Sequence, residues 1–198
     1  MNLFNKNNNK PLFSTYSEFV EQYLDALYKT AFRFTGGQAE AEDVVQNLVI
    51  KLQPRFRELQ NLKKPLTWLN KVLYRMFIDY RRQVSRSPIK SISELNLDDE
   101  DTNYFDTLLG VDESPQSIIE KAELAVQLQH ALNQLSDDDR SLIVLYEVEG
   151  NSISDLHEIT DMPKGTIKSK LYRARIQLRN IIKNETNVED ISCHIVRT

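Results

Sequence analysis

The chain has 198 residues, 40% of them hydrophobic and 27% charged, which suits packed domains and allows one large unit or two small ones. It contains no apolar run long enough to span a membrane, its N-terminal MNLFNKNNNKPLF lacks the core of a secretion signal, and its single cysteine, Cys193, excludes an internal disulfide. The formal net charge of −4 does not exclude a nucleic-acid partner, because screening over about 8 Å makes local patches count for more than the total.

Residues 1–15 are polar and expected to be disordered. From there Tyr16, Phe19, Val20, Tyr23, Leu24, Leu27, Tyr28, Ala31 and Phe32 recur at helical spacing, and Gly36-Gly37 stops the helix they predict. A second helix starts near Ala39 with Glu40, Glu42 and Asp43 in its first turn, where carboxylates favour the dipole. Its Val44, Val45, Leu48, Val49 and Leu52 offer more apolar surface than one buried stripe needs, and Pro54 closes it. A third helix runs from about Pro65 to Gln83 on Trp68, Leu69, Val72, Leu73, Met76, Phe77 and Tyr80. Short connections join the three into a helical bundle over 16–84.

The third helix and its approach interleave cations with aromatics: Arg55, Phe56, Arg57, Lys63, Lys64, Trp68, Lys71, Tyr74, Arg75, Tyr80, Arg81 and Arg82. Such a mixture suits single-stranded DNA, since cations follow phosphates and aromatic faces take unstacked bases. Trp68 itself reads as a core residue. Residues 1–90 hold 15 Lys and Arg against 8 Asp and Glu, whereas residues 91–120 hold 9 acidic residues and no basic one. This change of charge, with the loss of periodicity from Val84 to Ser117, marks an acidic flexible linker over 85–117. A solvated spacer would look the same.

A second domain is expected over 118–184. Ile118, Ala122, Ala125, Leu128, Ala131, Leu132 and Leu135 form one helix, and Ser136-Asp137-Asp138-Asp139 caps the next, through Leu142, Ile143, Leu145, Tyr146 and Val148. Ser152 and Asp155 then cap a short helix with Ile153, Leu156 and Ile159 on one edge. Thr160 to Met162 make a turn, and Pro163 suits the start of a basic helix whose Ile167, Leu171, Ala174 and Leu178 form a buried stripe. Opposite stand Lys168, Ser169, Tyr172 and Arg173, flanked by Lys164, Thr166, Lys170 and Arg175, with no acidic residue between Met162 and Lys183. A basic helix braced by a short one across a tight turn is a helix-turn-helix built to read a major groove. A solvated amphipathic hairpin is the plainer alternative. The fold class is therefore all-α, two small helical domains, with residues 185–198 as a tail whose Cys193-His194 pair reads as incidental. The histidines, His130, His157 and His194, are scattered and no phosphate loop or metal-ligand spacing is present, so neither an enzyme, a cofactor nor a metal site is expected.

Glu149-Gly150, Ser152, Glu158-Ile159, Pro163, Gly165-Thr166-Ile167-Lys168-Ser169, Leu171 and Arg173-Ala174-Arg175 resemble the promoter-binding region of bacterial sigma factors, above all the extracytoplasmic-function (ECF) group. Ala31 to Gly36, Ala41-Glu42-Asp43-Val44-Val45-Gln46, Thr67-Trp68-Leu69 and Ile78-Asp79 resemble the N-terminal domain of the same group, in the same order. The resemblance implies a transcription initiation factor that joins core RNA polymerase at promoter DNA. It implies that the second helix docks on polymerase, with Asp43, Gln46 and Asn47 as contact candidates. It also implies that the loop from Arg57 to Pro65 captures a flipped base of the minus-ten element, with Lys63, Lys64, Lys71, Tyr74 and Arg75 along the opened strand. The helix-turn-helix then reads the minus-thirty-five element, the linker with Asp98 to Asp101 threads a polymerase channel, and an anti-sigma factor is an expected partner. A helix-turn-helix activator that never joins polymerase is the rival, as is a helical adaptor binding protein alone. The aromatic and basic third helix favours the sigma reading, because a duplex-only activator needs no strand-separating surface.

Three residues depart from the resembled pattern. Arg75 stands where an Asn is common, His157 where a small residue is usual, and Asp161 replaces the Gly of the turn. His157 is expected to lean outward or widen the packing, and Asp161 to take the left-handed conformation that Asp tolerates.

Overall fold

The computed structural model describes residues 13–86 and 115–185, and the regular elements among them are all helical. Helix α1 spans Tyr16–Thr35, α2 Gln38–Leu52, a 3-10 turn Gln53–Arg55, α3 Phe56–Leu59 and α4 Pro65–Arg86. After the interval come α5, Pro115–Asn133, α6, Asp137–Ile143, a π-helical turn Val144–Val148, α7, Ile153–Thr160, and α8, Lys164–Glu185. Residues 87–114 of the linker expected over 85–117, with Asp98 to Asp101, and the tail with Cys193 and His194 lie outside the described residues.

Local chemistry sets the ends of these helices. Thr15 and Glu18 form a reciprocal capping box at the start of α1, and Gly36 ends it with φ +80, donating its N–H to the Phe32 carbonyl. Ser136 caps α6 by accepting from the Asp139 N–H, and Ser152 with Asp155 forms a second capping box on α7. The turn after α7 closes on Asp161 at φ 60, the left-handed conformation the sequence required of it.

Phe13, the first described residue, is packed although it lies inside the stretch expected to be disordered. Its buried ring meets Phe19 edge-on at 5.3 Å and lies 6.1 Å from that of Tyr23. Helix α4 runs three residues past the expected Gln83, and α5 begins three residues before the expected 118. On α2 the surplus apolar surface is absorbed by the core: Val44, Val45, Leu48 and Leu52 are buried, leaving Ile50 as the exposed aliphatic.

Both expected helical domains are present, and they are packed together. Buried residues of the first, including Phe34, Leu73 and Phe77, and of the second, including Leu142, Leu145, Leu156 and Ile159, form one hydrophobic cluster. Helix α4 lies along α7, while α1 contacts α5, α6 and the π-helical turn. At the seam Gly36 approaches Asn133 so closely that an added Cβ would stand 2.3 Å from its Oδ1. A side chain at that position would have to displace Asn133 as well as bear a strained φ.

Candidate nucleic-acid interface

Helix α8 presents two chemically distinct sides. Ile167, Leu171, Ala174 and Leu178 are buried against the rest of the second domain, as their spacing requires. On the outer side Thr166, Lys168, Ser169, Tyr172 and Arg173 are all exposed, and Tyr172 keeps 67% of its surface in solvent. The Arg173 Nε–H leans back on the Ser169 carbonyl at 3.4 Å, leaving the side chain along the helix surface. Lys164, at the first turn, donates to the Ser154 hydroxyl at 2.9 Å and ties α8 to α7.

Two of the flanking cations, Lys170 and Arg175, are paired with acids of their own domain. Lys170 is half-buried and lies 2.9 Å from the Asp138 carboxylate and 4.0 Å from that of Asp139. Arg175 pairs with Glu147, and its guanidinium stands 5.3 Å from the Tyr146 ring centroid. The sequence placed all these cations on one basic helix; their assignment to inside or outside depended on acids in the preceding helical segments.

The helix-turn-helix itself has the expected form. Leu156 and Ile159 are buried, and His157 leans outward with its Nδ1 donating to the Met162 carbonyl at 2.7 Å. That bond secures the turn between the supporting and the reading helix.

In the first domain Asp43, Gln46 and Asn47 stand exposed on α2, with the Asn47 amide donating to the Asp43 carbonyl at 2.8 Å. Beside them Ile50 keeps 68% exposure. Lys63 is exposed and Lys71 half-buried. Trp68 is half-buried and packed against the core, with the Arg55 guanidinium 5.4 Å from its ring centroid. The loop from Arg57 to Pro65 holds the end of α3 and an exposed Asn61, Lys63 and Lys64.

The remaining strand candidates face the second domain. Lys64 Nζ lies 3.2 Å from Asp155 Oδ1, Arg75 Nη2 lies 2.8 Å from Asp161 Oδ2, and Arg81 Nε lies 2.8 Å from Asp137 Oδ2. Tyr74, expected along an opened strand, is buried with 7% exposure. Burial and the charges of Asp138 and Asp161 push its phenol up to about 12. In this arrangement no base reaches its ring. Asp137 serves two cations, since it also pairs with Arg140, whose guanidinium is itself held below its ordinary value by burial.

Comparison with known proteins agrees with this architecture. Residues 19–87 match the family described as Sigma-70 region 2, and residues 125–178 the one described as Sigma-70, region 4, together well over half of the chain. The ECF RNA polymerase sigma factor SigE of Mycolicibacterium smegmatis is 28% identical over 188 residues, spanning 93% of this chain and 68% of that protein. SigW of Bacillus subtilis, another ECF sigma factor, is 25% identical over 169 residues, 85% of this chain and 89% of the relative. The chain belongs to the ECF sigma factors.

Among solved structures, the sigma factor RpoE of Bartonella quintana, determined in complex with the anti-sigma factor NepR, shares the fold at a TM-score of 0.63 and 23% identity. The match covers 86% of this chain and 98% of that one. As a sigma factor the protein is a transcription initiation factor that binds core RNA polymerase and promoter DNA. No helix among the described residues is long and apolar enough to cross a membrane.

Asp137, Asp155 and Asp161 were missed as partners of the first domain. Asp155 reads from sequence only as a cap, and it is that too: the Ser152 hydroxyl and backbone N–H hold its carboxyl below the usual carboxylate range, with Lys64 adding to the shift. A signal for Asp161 did exist. Arg75 and Asp161 are two of the three departures from the resembled pattern, and in the structure they meet.

Proposed function

We propose that this sigma factor divides promoter recognition between its two domains, 16–84 and 118–184. The C-terminal domain reads the duplex minus-thirty-five element with the exposed side of α8, and the N-terminal domain holds polymerase through α2 and the opened strand through the Arg57–Pro65 loop and α4. The observation that carries the reading is the sorting of side chains on α8. Its apolar stripe and its acid-paired cations turn inward, while Thr166, Lys168, Ser169, Tyr172 and Arg173 stay exposed on the outer side, as on a recognition helix that meets the base edges of a major groove. Asp43, Gln46 and Asn47, beside the exposed Ile50, give α2 the mixture of polar and aliphatic groups typical of a protein-docking face. The protein carries out no catalysis of its own and acts in the cytoplasm, where polymerase and promoter are. The solved relative bound to an anti-sigma factor supports a restraining partner of the same kind here.

The test is pull-down of core RNA polymerase by the full chain, combined with binding to promoter duplexes. A double change of Asp43 and Gln46 to Ala is expected to weaken polymerase capture and leave duplex binding unchanged. Unaltered capture by that variant removes α2 from the polymerase interface.

A further inference from the structure

The seam between the domains is lined by unlike charges. On the N-terminal side stand Lys64, Arg75 and Arg81, all on α4 or its approach. On the C-terminal side stand Asp155 and Asp161, at the two ends of α7, and Asp137, at the start of α6. The three pairs close at 3.2, 2.8 and 2.8 Å, and they extend from one end of α4 through its middle towards the other. Carboxylates at these distances occupy the positions that phosphate oxygens would take on the same cations. Tyr74, the aromatic of this face, is buried at the seam with Asp138 and Asp161 as its acidic neighbours.

We propose that the acidic edge of α6 and α7 is a built-in competitor for single-stranded DNA, a latch that closes the helix-turn-helix domain over the strand-holding face of α4. This rests on the strand-holding role given to α4 above. In the closed chain Lys64 and Arg75 are engaged by Asp155 and Asp161, and the Tyr74 ring is covered. A strand can use them only after the domains part, so the apparent affinity for single strands is the intrinsic one reduced by the open fraction. The Arg75–Asp161 pair is the adjustable part of this latch. Both residues are largely exposed, whereas Asp155 also caps α7 and Asp137 also holds Arg140, so only Asp161 can lose its charge without disturbing its own domain.

The experiment uses the full chain with Asp161→Asn, because Asn tolerates the left-handed φ of 60 and carries no charge. Hydroxyl-radical labelling of Tyr74, resolved by peptide mass spectrometry, reports separation of the domains, and a fluorescent oligo(dT) strand reports competition. An exposed ion pair shifts an equilibrium by about two- to fivefold, and Asp161→Asn is expected to raise both the labelling rate and the apparent strand affinity by such a factor. Arg75→Gln is expected to raise labelling alike with no gain in strand affinity, and Asp161→Asn added to Arg75→Gln to give no further labelling. Labelling unchanged in both single variants overturns the latch. Labelling raised by Asp161→Asn with strand affinity unchanged shows that the seam opens without releasing a strand site, which overturns the competition and the role of α4 beneath it.

Discussion

Helices α4 and α8 are both 22 residues long, both basic and both amphipathic, yet their cations meet different fates. On α8 the acids that neutralise Lys170 and Arg175 belong to the same domain, and the outer residues Lys168, Tyr172 and Arg173 stay exposed. On α4 and its approach the neutralising acids come from the other domain: Asp161 for Arg75, Asp155 for Lys64, Asp137 for Arg81. A duplex-reading surface can thus be presented while, on the strand-holding side, Lys64 and Arg75 are paired with acids of the other domain and Tyr74 is buried. The contrast shows that a basic helix is not by itself a free nucleic-acid surface. What decides is where its counter-charges sit, and those of α4 sit on the second domain.

The contrast would be erased if the two domains did not share a core. Leu73 on α4 and Leu156 on α7 are both fully buried in the common cluster. Leu156→Ala is expected to destabilise the chain by about 2–5 kcal/mol through lost burial and a cavity. Urea unfolding followed by probes in each domain should show both transitions moving to lower denaturant together. Independent transitions, with only the C-terminal one shifted, would mean that the seam contributes nothing to stability.

A smaller effect sharpens the description of α8. Lys168→Ala and Arg173→Ala should each cost about 1–3 kcal/mol in binding to the matched minus-thirty-five duplex and relax preference at one position. Lys170→Ala should behave differently, lowering thermal stability by leaving Asp138 and Asp139 without their cation, with little change in the salt slope of binding. Duplex titrations at several salt concentrations distinguish the two classes. If all three variants lose affinity with the same fall in slope, the division of α8 into reading and bracing cations is wrong.

The smallest effect is a titration. Asp155 has its carboxyl lowered by the Ser152 hydroxyl first, then by the Ser152 N–H and Lys64. A carboxyl depressed in the folded state stabilises it above the unfolded value, near 4, and that contribution fades as pH falls through the folded value. Tyr74 works in the opposite sense: its phenol, raised from 10 to about 12 mainly by burial, supports the fold below pH 10 and loses that support as pH rises towards 12. Tyr74→Phe should flatten the alkaline limb of a stability-versus-pH curve and leave the acid limb unchanged, and Asp155→Asn should do the reverse.

Much of the fold could be read from sequence because its signals are local. The capping residues Ser136 and Ser152, the stop at Gly36 and the turn at Asp161 depend on neighbours within four residues, and all were legible, whereas the cap at Thr15 lies in the stretch expected to be disordered. The apolar stripe of α8 was legible for the same reason. The partners of Lys64, Arg75 and Arg81 lie 91, 86 and 56 residues away, so no periodicity could reveal them. Tyr74 shows the consequence: its spacing beside Arg75 suggested a strand contact, while its burial depends on a domain that begins beyond the linker. Surplus apolar residues on α2 misled in a similar way, since the core they fill also takes Phe34 and Phe77 from other helices, whose rings lie 5.3 Å apart.

Permanganate footprinting of unpaired promoter thymines tests whether one domain reads duplex while the other holds the opened strand. The measurement uses holoenzyme formed with a variant in which Lys63, Lys64 and Lys71 are all changed to Ala, with polymerase capture and minus-thirty-five binding checked first. Both of those are expected to persist, while thymine reactivity in the minus-ten region falls and falls further as salt increases. Reactivity equal to the unaltered protein at physiological salt would contradict the strand-holding role of the N-terminal domain.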